Sequence, residues 1–197
     1  MKHTLLYVLC VVIALASCQK PVPIPLPRAY PRIEFPERSY ERIAPENCPF
    51  SMEVPSYLTL RQRTETLGEP IESDCWYDLH SQTLNADIHC SYSRIINKAD
   101  YEKRVDDAFE LSRKHVKRAD FIDELAFTNE HGVSGVLFLL DGPSATPAQF
   151  FVSDTTNHFF RGSLYLSSQV NPDSTAPVYE FLLQDLDRLV ASFRWEE

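Results

Sequence analysis

Two neighbouring runs, Pro147–Asp154 and His158–Ser167, carry aromatic side chains on both faces of what their length makes strands: Phe150 opposes Phe151, and Phe159 opposes Phe160. Successive side chains of a strand point to opposite sides of the sheet. A sheet containing such strands needs cover on both sides, which excludes a sheet with one solvated face. Thr155-Thr156-Asn157 lies between the runs and predicts a hairpin. Just upstream, Val133–Leu140 is almost wholly apolar, the pattern of a strand buried on both faces, and Asp141-Gly142-Pro143-Ser144 ends it with turn residues.

The rest of the chain supplies more strands and the cover. Leu84, Ala86, Ile88, Cys90 and Tyr92 alternate with Asn85, Asp87, His89, Ser91 and Ser93, so Leu84–Ser93 is a strand with one buried and one polar face. Phe50–Val54 and Cys75–His80 are shorter strands. Phe121–Thr128 is ambiguous and is read as a strand. Tyr101, Val105, Ala108, Phe109, Ser112 and Val116 recur at helical spacing after an Asn97 cap, predicting a helix over Lys98–Arg118. Its basic last turns, His115 among them, suit the negative end of the helix dipole. A final helix, capped by Ser174 or Thr175 with Pro177 in its first turn, buries Phe181, Leu182, Leu186, Leu189, Val190 and Phe193. The order β-β-β-α-β-β-β-β-α predicts an α+β fold, a mainly antiparallel sheet sandwiched by helices. It resembles the Mog1/PsbP-like α/β/α arrangement.

The N-terminus says where the chain works. Met1-Lys2-His3, an apolar run from Leu5 to Ala16 and the small residues before Cys18 form a secretory signal peptide. That run is too short for the ~20 residues of a spanning helix. Leu15-Ala16-Ser17-Cys18 resembles a bacterial lipobox, with cleavage before Cys18 and lipid on its thiol; acyl chains then anchor the mature protein. Pro21, Pro23, Pro25, Pro27, Pro31, Pro36 and Pro45 make residues 18–45 an extended, semi-rigid tether. Aromatic and arginine residues between Tyr30 and Ile43 equally fit a docking segment. Residues 46–197 are read as one globular domain. The full chain has a net charge of −9, and losing Lys2 with residues 1–17 makes it −10. That balance argues against nucleic acid and against a broad footprint on anionic lipid, leaving proteins, small ligands or glycans as partners.

Four cysteines remain after cleavage. An oxidising compartment allows a Cys48–Cys75 bridge, with Cys90 left as a buried apolar residue. No cysteine or histidine spacing suits zinc, and neither a metal nor a cofactor is expected. No nucleophile elbow, Ser-x-x-Lys, His-Glu-x-x-His or phosphate loop occurs, so no catalytic residue is assigned. Asp123-Glu124 and Asp185/Asp187 are read as solvated surface carboxylates. The densest polar-aromatic stretch is Gln149–Gly162. There Asp154 is within reach of His158 beside the turn, and Arg161 projects from the opposite strand face. His89, Asp154, His158 and Arg161 are the candidate recognition residues. The competing reading is structural: Asp154 holds the turn backbone and Arg161 forms an internal pair.

The strings Cys48-Pro49-Phe50, Cys75-Trp76, Ile88-His89-Cys90-Ser91-Tyr92, Pro147-Ala148-Gln149-Phe150, Asp154-x-Thr156-x-His158-Phe159-x-Arg161-Gly162, Asp173-Ser174-x-Ala176-Pro177-Val178 and Ser192-Phe193-x-Trp195 occur in one order over nearly the whole chain. In this the chain resembles the gliding-motility lipoprotein GldD family of Bacteroidetes. The resemblance implies a non-enzymatic envelope lipoprotein that supports the type IX secretion and gliding apparatus beside other lipoproteins. Only the lipidated Cys18 carries over as a site. Gln19-Lys20-Pro21 lacks the acidic residues that follow the lipidated cysteine of surface-exposed relatives, which points to the periplasmic face of the outer membrane. The alternative is a periplasmic binding module for peptidoglycan or another glycan.

Overall fold

The computed structural model describes residues 32–66, 68–71, 73–114, 121–167 and 172–196. The signal segment, Cys18, most of the tether and His115 lie outside the described residues. One compact unit, Glu34–Glu197, holds every element described below.

Four short strands open this unit: β1 (Tyr40–Ile43), β2 (Phe50–Pro55), β3 (Thr59–Gln62) and β4 (Glu65–Thr66). Next come β5 (Glu69–Pro70), β6 (Trp76–Ser81), β7 (Ala86–Arg94) and helix α1 (Lys98–Lys114). Then follow β8 (Phe121–Thr128), β9 (Ser134–Asp141), β10 (Ala148–Ser153), β11 (His158–Leu166), helix α2 (Pro172–Ser192) and β12 (Arg194–Trp195). Among the described residues, seven strands form one sheet in the order β3-β6-β7-β11-β10-β9-β8, and every pairing in it is antiparallel. A second sheet runs β1-β2-β12. The fold is α+β with a large antiparallel sheet, as the sequence predicts.

The double-faced aromatics find their two layers. On one side of the large sheet, Phe150, Val152, Phe160 and Leu164 pack with Leu182, Leu186, Leu189 and Phe193 around α2, and with Phe50 and Met52 of β2. On the other side, Phe138, Leu140, Phe151 and Phe159 pack under Tyr101, Val105, Ala108 and Phe109 of α1. Gly162, paired across from Phe150, is needed on the first side: a Cβ there would sit 2.1 Å from the Phe150 ring. Helix α1 starts where Asn97 Oδ1 accepts the Asp100 amide at 3.0 Å, while the Asp100 carboxylate accepts the Ile96 amide at 3.1 Å.

Three features depart from the sequence reading. Residues 34–43, assigned there to the tether, belong to the folded unit: Tyr40–Ile43 pairs with β2, and Phe35 stacks on Phe181 at 4.6 Å. Strand β1 is short and mostly exposed, so it shows no apolar alternation. Asp185 is not a surface carboxylate but 1 % exposed. It accepts bonds from Arg38 Nε at 3.0 Å, from the Tyr40 hydroxyl at 2.6 Å and from the Tyr57 hydroxyl. Burial, then the bond to Asp185, pushes the Tyr40 phenol up to about 12. A buried carboxylate survives only with such partners, and Arg38 lies 147 residues away in sequence. Helix α2 begins at Pro172, so Ser174 and Thr175 lie inside it rather than at its cap. Pro177, read from the sequence as a first-turn residue, likewise lies inside the helix.

Candidate functional site

Helix α1 covers only part of its side of the large sheet. Beyond Phe159, strand β11 turns polar on that side: Arg161, Ser163 and Tyr165 follow at period two. Their neighbours on β7 are Ser91 opposite Arg161 and His89 opposite Ser163. Those in turn face Trp76 and Asp78 on β6. The result is an open cavity of about 240 Å³, with Arg63, Trp76, His89, Ser91, Arg161 and Tyr165 in its walls.

Two of the four candidate residues therefore meet. His89 gives one ring nitrogen to Asp78, Nδ1 to Oδ1 at 2.5 Å, and packs against Tyr165 with ring centroids 4.7 Å apart. Asp78 also faces Arg63 Nε at 3.7 Å. Arg161 bonds Gln149 Oε1 through Nη2 at 2.7 Å. Among the described residues this guanidinium has no carboxylate partner. Burial lowers the Arg161 pKa from its ordinary value, and the group stays charged. Gln149 is 2 % exposed, and its Nε2 has no hydrogen-bond partner among the described residues.

The other two candidates lie elsewhere. Asp154 holds the β10–β11 turn: Oδ1 accepts the backbone amides of Thr156 at 3.0 Å, Asn157 at 2.8 Å and His158 at 2.8 Å. Burial pushes this carboxyl up, but the three amides outweigh it and hold it below the usual range. Thr155 adopts φ 67°, a strained conformation for a β-branched residue, inside that clasp. The His158 ring does not meet Asp154. It bonds the Tyr92 hydroxyl at 2.8 Å and stacks on Trp195 at 5.1 Å, on the α2 side of the sheet. Cys48 and Cys75 form a disulfide with Cα atoms 5.6 Å apart, tying the start of β2 to β6. Cys90 is free and buried, and burial pushes its thiol up.

The cavity's remaining walls carried a partial signal. The alternation of Leu84–Ser93 places His89 and Ser91 on a polar face, yet Trp76 and Arg63 join them only through strand pairing. Among the described residues no three His, Cys, Asp or Glu side chains group as a metal site would need. No helix among them is long and apolar enough to cross a membrane.

A model of the gliding motility lipoprotein GldD family matches residues 20–195, which takes in both the tether and this cavity. The chain belongs to that family. Membership of this lipoprotein family implies a lipid anchor and association with the cell envelope. No curated protein matches the chain. Among solved structures it is similar to the Saccharomyces cerevisiae Ran-binding protein Mog1p, with a TM-score of 0.47 and 12 % identity, over 81 % of this chain and 96 % of that one.

Proposed function

We propose that the chain is a non-enzymatic outer-membrane lipoprotein facing the periplasm, supporting the assembly or function of the type IX secretion and gliding apparatus. The observation that carries this reading is the family match from residue 20 to 195. Signal peptidase removes residues 1–17, and lipid on Cys18 anchors what remains. The Pro-rich segment then holds the domain away from the bilayer. Other lipoproteins of the same apparatus are the proposed partners, and the part of the large sheet that α1 leaves uncovered is a surface proposed for them. A second reading, a module for peptidoglycan or another glycan, draws on the aromatic and cationic walls of the cavity at Trp76, Tyr165 and Arg161.

Depletion of the protein tests the first reading. Surface-exposed and secreted type IX cargo should fall, and should return with the wild-type gene but not with Cys18→Ala. Unchanged cargo in fully depleted cells overturns it. Cosedimentation with purified sacculi tests the second.

A further inference from the structure

The cavity beyond the cover of α1 contains an incomplete charge arrangement. Asp78 is shared between His89 and Arg63. Arg161 has no such partner among the described residues: its one bond goes to the neutral Gln149 amide oxygen. A partly buried guanidinium without a counter-anion bears a desolvation cost that an amide oxygen offsets only in part. Gln149 Nε2, on the same amide, is a buried donor with no acceptor among the described residues. Native structures rarely leave such a donor unmatched. Among the described residues, a cation without a counter-anion therefore sits beside an amide nitrogen without an acceptor, and the cation lines a solvent-accessible cavity.

We propose that this cavity binds a small carboxylate, the terminal or side-chain acid of a peptide or of an acidic sugar, with Arg161 as its anchor. The inference rests on the reading of the chain as a binding rather than a catalytic protein, and it names the ligand chemistry of the site described above. The local charge fits a monoanion. Asp78 already offsets one cation, leaving about one positive charge at Arg161, too little to match a phosphate dianion. The planar guanidinium fork matches the two oxygens of a carboxylate, and among the described residues only its Nη2 bond to Gln149 engages it. Ser91 and Ser163 contribute hydroxyls to the same walls, whereas Trp76 and Tyr165 supply flat apolar surfaces for the carbon frame beside the acid. A volume of about 240 Å³ limits the bound group to one side chain or one sugar ring.

The test uses the mature full-length lipoprotein in detergent micelles, labelled with ¹⁵N-arginine. The Arg161 Nε–H resonance, assigned with Arg161→Lys, is followed during titration with N-acetylalanine, glucuronate, N-acetylalaninamide and inorganic phosphate. A saturable shift is expected with one or both carboxylates and none with the amide. Which carboxylate shifts it identifies the source. Gln149→Glu places an internal carboxylate beside Arg161, and it should weaken binding by roughly tenfold or more while the remaining resonances keep their positions. No saturable shift, equal shifts with acid and amide, or tighter binding of phosphate each overturn the proposal. So does unchanged binding in folded Gln149→Glu. Such results leave the envelope role intact, because cargo loss on depletion reads that role independently.

Discussion

One side of the seven-stranded sheet is divided between two kinds of surface. Under α1, Phe138, Leu140, Phe151 and Phe159 form a dry aromatic layer, with Phe109 edge-on to Phe138 at 5.0 Å. Across β11, β7 and β6 the same side carries Arg161, Ser163, His89, Ser91, Asp78 and Trp76, and among the described residues no helix lies over it. The boundary falls within one strand, between Phe159 and Arg161. The covered half holds the fold together, since burying aromatic area is the main source of stability here. The open half contributes little to that term, yet it retains a partly buried cation and a buried amide nitrogen without an acceptor among the described residues. Polar groups that cost stability without visible return are where function is to be sought.

Substitutions should separate the halves sharply. The largest effect is expected at Phe138, which is 1 % exposed: Phe138→Ala should lower unfolding free energy by about 3–5 kcal/mol in a urea titration. A loss below about 1 kcal/mol would show that α1 is not packed as described.

The β10–β11 turn, beside the covered half, should give an intermediate value. Asp154→Ala leaves three amides without their acceptor and should cost on the order of 1–2 kcal/mol. The folded carboxyl titrates below its unfolded range. Its contribution is therefore fully present above about pH 4 and is lost as pH falls through the folded value. The gap between wild type and Asp154→Ala should accordingly narrow in acid, and a gap that widens would reverse the assignment.

Ser91→Ala, on the open half, should change stability by no more than about 0.5 kcal/mol. A cost like that of Phe138→Ala would erase the distinction between the two surfaces.

Much of the covered half was legible in the sequence, for a physical reason. Adjacent aromatics such as Phe150-Phe151 and Phe159-Phe160 can be buried only by layers on both sides, so the sheet and its cover follow from local pattern. The open half was legible only in pieces. His89 stands out because Leu84–Ser93 alternates, and Arg161 because it lies in a dense polar-aromatic stretch. Their meeting depends on Ser163 pairing with His89 across β11 and β7, which no local pattern encodes. The same limit explains Asp185. Its helical position gives no sign that Arg38, Tyr40 and Tyr57 surround it, because two of those partners come from a segment whose prolines suggest a tether. Asp154 and His158 are close in sequence but on different duties, one clasping backbone amides and the other stacked on Trp195.

The central claim is that the open half of the sheet, through Arg161, serves the envelope role of this lipoprotein. Complementation of depleted cells with Gln149→Glu tests it most directly, with surface-exposed type IX cargo as the readout and the level of the variant matched to wild type. The variant should accumulate normally yet leave cargo near the depleted level. Full restoration of cargo by Gln149→Glu would contradict the claim and move the working surface elsewhere on the molecule.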